Sequence, residues 1–146
     1  MTHQLEKLKT KWNHFGGRYT ETSNKRVTLQ SAQHLHSHMQ LDLAHNVLEV
    51  AAGAGLGSLD IAQYLLHGRS KVPRETKRTF TVTDLSPVML DMAAKNLGGI
   101  SSENVEIKCC EANGKLALSS FTCLPIFYLF LLLSSFVKKL IMDVMM

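Results

Sequence analysis

Apolar residues change their spacing four times between Asn46 and Cys110, and the changes predict strand, helix, strand, helix, strand. Asn46 to Val50, NVLEV, is a short apolar run around one acidic residue, followed at once by small residues, as in a buried parallel strand. Ser58 to His67, SLDIAQYLLH, returns to helical spacing through Leu59, Ile61, Ala62, Leu65 and Leu66, and Gly68 suits the left-handed residue that closes a helix. Thr79 to Thr83, TFTVT, alternates and is rich in β-branched and aromatic residues, with Asp84 at its end. Ser86 and Pro87 form a helix start, the serine oxygen capping free N–H groups and the proline already set to helical φ. That helix runs through Val88, Met89, Met92 and Ala93 to Asn96 and leaves through Leu97, Gly98 and Gly99, and Val105 to Cys110 alternates as a third strand.

Three strands with two intervening helices predict an α/β fold, the opening of a Rossmann-like doubly wound parallel sheet, with ligand outside the carboxyl ends of the strands. Residues 1–44 are polar with scattered anchors (Trp12, Phe15, Tyr19, Val27, Leu29, Leu35, Leu41) and are expected to form a helical lead-in of one or two helices. The α/β domain is expected over 45–118, and an atypical apolar tail over 119–146. His34, His36 and His38 alternate. On a helix only the outer two share a face, so solvated or capping histidines are expected rather than a metal site.

Composition changes this picture little. With 146 residues, 45% hydrophobic and 19% charged, the chain has the balance of one globular domain. A core of that size needs no disulfide or metal staple. The net charge of +4 is concentrated in Arg69 to Arg78, RSKVPRETKR. No reader helix or run of stacking aromatics accompanies it, so a solvated loop is expected and no nucleic-acid partner. Cys109, Cys110 and Cys123 lack the spacing of a zinc site or redox pair, and adjacent strand cysteines face opposite ways, which predicts reduced thiols and a cytoplasmic protein. The first residues, MTHQLEKLKTKWNHFGG, lack a secretory apolar core and are expected to be mature protein.

The candidate chemistry gathers at the predicted strand ends. Gly53, Ala54 and Gly55 lack the bulk to keep a ligand off the backbone. Glu49, four residues before Gly53, is costly to bury alone, and either the amino group of a bound amino acid or a lysine or loop N–H groups would account for it. Asp84 offers two oxygens to the hydroxyls of a ribose, with helix capping as the competing role. Glu111 suits an exocyclic amine such as that of adenine, or is a surface carboxylate. A phosphate-cradling P-loop is excluded, because Gly57 is followed by Ser58 and Leu59 rather than by Lys and Ser or Thr. A dinucleotide fingerprint fits less well, since Ser58 stands where it needs glycine or alanine.

LEVAAGAG at Leu48 to Gly55 resembles the first motif of class I S-adenosylmethionine-dependent methyltransferases. TVTDLSPVMLDMAAKN at Thr81 to Asn96 is similar to the ribose-holding segment that follows it, and CEANG at Cys110 to Gly114 to the adenine-side motif. Tyr19, in WNHFGGRY, resembles the aromatic that often precedes the first motif. The resemblance spans about Trp12 to Leu118 and looks most like the small-molecule branch that includes quinone and sterol methyltransferases. It implies S-adenosyl-L-methionine as cofactor, held by Tyr19, Glu49, Ala51, Gly53, Gly55, Asp84, Leu85, Glu111 and Ala112, and a small-molecule methyl acceptor. No catalytic base is assigned.

Three departures from the family pattern stand out. Ala51 occupies the place of the usual first glycine, and the basic loop lengthens the gap before Asp84. From about Leu118 the expected apolar-Pro-apolar stretch and acidic fourth strand give way to FTCLPIFYLFLLLSSFVKKLIMDVMM, which implies an incomplete C-terminal part. Three readings stay open for that tail: a membrane span from Phe121 to Val137, a strand (Ile126 to Leu133) with an amphipathic helix (Ser135 to Val144), or the product of truncation or an altered reading frame. The function expected is methyl transfer to a small molecule. The alternative is a truncated, non-catalytic cofactor-binding or interaction module, whose sheet edge and apolar tail would favour self-association.

Overall fold

A computed structural model describes residues 3–21, 24–100 and 102–112. Along the chain these form α1 (His3–Glu21), α2 (Asn24–His38), β1 (Asn46–Val50), α3 (Leu56–His67), β2 (Arg78–Asp84), α4 (Pro87–Leu97) and β3 (Val105–Glu111). All belong to one unit, Met1–Leu116. Cys123, the tail of 119–146 and its three readings lie outside the described residues. Among the described residues no helix is long and apolar enough to cross a membrane.

The predicted βαβαβ order is present. The lead-in is two helices, and α3 begins two residues before the expected Ser58. The sheet is parallel, in the order β1-β2-β3, with Val50 opposite Thr83 and Asp84 opposite Glu111. Strand order follows chain order, so among the described residues the sheet winds in one direction only. The reversal that would make it doubly wound is not part of them.

β2 lies between its neighbours and is buried along almost its whole length, which is why its TFTVT run carries β-branched residues on both faces. Phe80 and Val82 meet Ile61, Ala62 and Leu65 of α3, Ala93 and Leu97 of α4, and Val47, Val105 and Leu41 in one core. Each large side chain there contributes about 1.5–3 kcal/mol by leaving water, enough for this cluster to hold α3 and α4 on the sheet. α4 starts as its sequence predicts, with the Ser86 hydroxyl accepting from the Met89 N–H at 3.2 Å and Pro87 in the first turn.

Three local expectations are corrected. Gly68 closes α3 in an extended conformation, φ −70° and ψ 161°, not a left-handed one. It is small because a Cβ there would lie 2.4 Å from the Tyr64 carbonyl oxygen. His34 and His38 are exposed neighbours on α2, as a shared face requires, but His36 points inward and its Nδ1 lies 2.7 Å from Asp60 Oδ2 on α3. Arg78 is not part of a solvated loop. It is the first residue of β2 and is buried, its guanidinium donating to the carbonyls of Ala44, Leu65 and Leu41. Burial pushes its pKa down, and Tyr64 and Asp42 oppose that shift. The loop proper is exposed at Arg69, Lys71, Arg74 and Lys77, with Lys71 paired to Asp42 and Lys77 to Glu106.

Candidate functional site at the carboxyl ends of the strands

Parallel pairing brings three acidic residues to one edge of the sheet: Glu49 one residue before the end of β1, Asp84 at the end of β2 and Glu111 at the end of β3. The turn after β1 sets their surroundings. Ala51 (φ 61°), Gly53 (φ 61°) and Gly55 (φ 74°) are all left-handed. The reversal is held by the Ala52 N–H on the Thr83 carbonyl (3.0 Å) and the Gly55 N–H on the Ala52 carbonyl (3.1 Å). A left-handed alanine costs roughly 1–2 kcal/mol, so Ala51 stands where glycine would be easier.

The two glycines of this turn have different reasons to be glycine. A Cβ on Gly53 would meet nothing within 4 Å, so that face of the turn is open. A Cβ on Gly55 would lie 2.9 Å from Ala93 Cβ and 3.0 Å from its Cα. Gly55 therefore serves the packing of the turn on α4, where the Asn96 side chain also donates to the Ala54 carbonyl at 2.8 Å.

Asp84 joins the strand-end loops. One carboxylate oxygen accepts the Gly53 N–H (2.9 Å) and the other the Ser86 N–H (2.8 Å), while its own carbonyl accepts the Ala112 N–H (2.8 Å). The helix-capping alternative does not describe it, since Ser86 is the cap. Each carboxylate oxygen keeps further acceptor capacity beyond its one N–H.

Glu49 is buried, and its Oε2 accepts the Ser58 hydroxyl at 2.5 Å. Among the described residues its hydrogen-bond partner is this hydroxyl of α3, neither a lysine nor loop N–H groups. Burial pushes its pKa up to about 7, with the Ser58 hydrogen bond opposing and the charge of Asp84 adding. Near neutral pH it therefore sits between acid and carboxylate, ready to ionise beside a cation.

Glu111 is ion-paired with Lys9 of α1, and that hydrogen bond raises the lysine pKa. Further along α1, Asn13 Oδ1 accepts the Ser86 hydroxyl at 2.7 Å. Tyr19 packs edge-on against Trp12, ring centroids 5.7 Å apart. Leu85 and Ala112 are half-buried directly after the acidic residues of β2 and β3.

The edge thus collects Glu49, Ala51, Gly53, Gly55, Asp84, Leu85, Glu111 and Ala112, whereas Tyr19 lies on α1 against Trp12. Sequence reasoning missed Lys9, Asn13, Ser58 and Asn96. Ser58 had a visible signal, being the polar residue at the packing point of helix on strand, whereas Lys9 and Glu111 are 102 residues apart and nothing local links them.

No protein-family model, curated protein or solved structure matches this chain.

Proposed function

We propose that the chain binds S-adenosyl-L-methionine at this edge and belongs to the class I methyltransferases, acting on a small-molecule acceptor. One observation carries the reading: Gly53, left-handed and open on its outer face, is fixed through its N–H by Asp84 where two parallel strands end. Such a turn admits a ligand against backbone, and Asp84 beside it is the hydroxyl acceptor that a ribose needs.

The donor set suits the cofactor. Glu49 would hold the amine, an approaching ammonium favouring its carboxylate form despite burial, with the proton released to solvent. Asp84 would accept the ribose hydroxyls with the capacity left beyond Gly53 and Ser86. Glu111 and Ala112 would border the adenine. The cofactor supplies an electrophilic methyl group on sulfur, transferred by in-line displacement. For that chemistry the protein aligns donor and acceptor and excludes water.

Titration calorimetry with S-adenosylmethionine and S-adenosylhomocysteine tests the binding claim. Saturable heat at one site per chain is expected, and a folded sample that gives none at millimolar ligand would sink it.

A second reading, a non-catalytic module, is favoured by a specific observation: all three carboxylates already have internal partners, Ser58, the Gly53 and Ser86 amides, and Lys9. Transfer of labelled methyl into a metabolite extract separates the two, an enzyme labelling an acceptor and a module binding without turnover.

A further inference from the structure

Three residues on one face of α1, Lys9, Asn13 and Gly16, fall at helical spacing and meet three successive features of the site edge. Lys9 pairs with Glu111 at the end of β3, and Asn13 accepts from Ser86 at the cap of α4. Gly16 lies against Met89 so closely that a Cβ would be 3.1 Å from the sulfur. Gly16 is the one buried residue described on this helix, while Leu5 and Leu8 remain exposed. Its aromatic residues Trp12, Phe15 and Tyr19 are half-buried, and a helix whose apolar residues are only partly buried opens at lower cost than a core element.

We propose that α1 is a latch on the strand-end site: Lys9 holds the Glu111 carboxylate through Oε1, so a ligand that takes this carboxylate through an amine competes with Lys9 for it, and ligand binding opposes docking of α1. The competition rests on the adenosyl reading of the site, in which the displacing group is the exocyclic amine of adenine. The latch itself rests only on the Lys9–Glu111 pair. Both side chains are partly exposed, so the pair is weak enough to exchange and its effect is expected to be modest.

The test compares the full chain with Lys9→Met, which keeps most of the stem and removes the charge. Without ligand, amide exchange over 3–21 is expected to speed up roughly two- to fivefold in the variant. Unchanged exchange overturns the latch. Glu111→Gln is expected to reproduce the effect and decides the matter should Lys9→Met fold poorly. With S-adenosylhomocysteine as probe, Lys9→Met is expected to bind about two- to fivefold more tightly than the natural chain, the gap closing at high salt as the pair is screened. Equal or weaker binding by the variant, beside clear binding by the natural chain, overturns the competition and leaves the cofactor reading standing. Absence of binding in both overturns the cofactor reading and the competition with it, while exchange over 3–21 still judges the latch.

Discussion

The two ends of the sheet solve opposite electrostatic problems. At the amino end a buried cation, Arg78, is surrounded by carbonyl oxygens from Leu41, Ala44 and Leu65. At the carboxyl end two buried acidic side chains, Glu49 and Asp84, are met by a hydroxyl and by backbone N–H groups. The amino end is a structural lock, since a guanidinium offers only donors and the carbonyls around it belong to segments that must be tied to the sheet. At the carboxyl end the acids keep acceptor capacity beside an open glycine face. The difference teaches which end is built to hold the fold and which is suited to hold a ligand.

The contrast can be broken most forcefully at Arg78. Arg78→Met keeps apolar bulk but removes one donor from each of three carbonyls, of which Leu41 still accepts the Ala44 N–H, at about 1–3 kcal/mol for each carbonyl left unpaired where water does not reach it. A loss of roughly 3–5 kcal/mol is expected from urea unfolding. A loss under about 1 kcal/mol would mean that this end is not a lock.

Glu49 sharpens the other side. Its folded pKa of about 7 lies above the ordinary 4.5, so the folded state keeps a proton that the unfolded chain releases. The associated stability is fully present below about pH 4.5 and is lost as the pH rises to about 7. Glu49→Gln mimics the protonated acid. It is expected to leave stability unchanged near pH 4 and to raise it by on the order of 3 kcal/mol at pH 8, while weakening S-adenosylhomocysteine. A difference between natural and variant chains that stays flat across that range would show that the acid is not held neutral.

The smallest effect is expected at Ala51. Ala51→Gly removes the left-handed penalty but loosens the unfolded chain, for a net gain of roughly 0.5 kcal/mol and a melting temperature about 2 °C higher. A lower melting temperature would count against a left-handed Ala51.

How far these features were legible depends on the range of the interactions. β1 was readable to the residue because an apolar run bounded by small residues has few alternatives, and α4 because Ser86 and Pro87 act within one turn. Glu49, Gly53 and Asp84 were readable as an edge because parallel pairing sends successive strand ends to the same side. Arg78 was misassigned to the basic loop because the carbonyls that make its burial tolerable come from Leu41, Ala44 and Leu65, which precede it by 37, 34 and 13 residues. Gly53 and Gly55 looked alike for a similar reason, since Ala93, which decides the role of Gly55, lies on another helix.

The long basic connection between α3 and β2 enters the sheet at Arg78, at the amino end of β2. Seven strand residues, roughly 20 Å, separate that point from Asp84. Extra length there extends the molecule away from the acidic edge and leaves the spacing of Glu49, Gly53 and Asp84 untouched. The exposed stretch from Pro73 to Glu75, between the Lys71 and Lys77 anchor points, is thus where an epitope or fluorophore can be inserted to report on the protein without entering its chemistry.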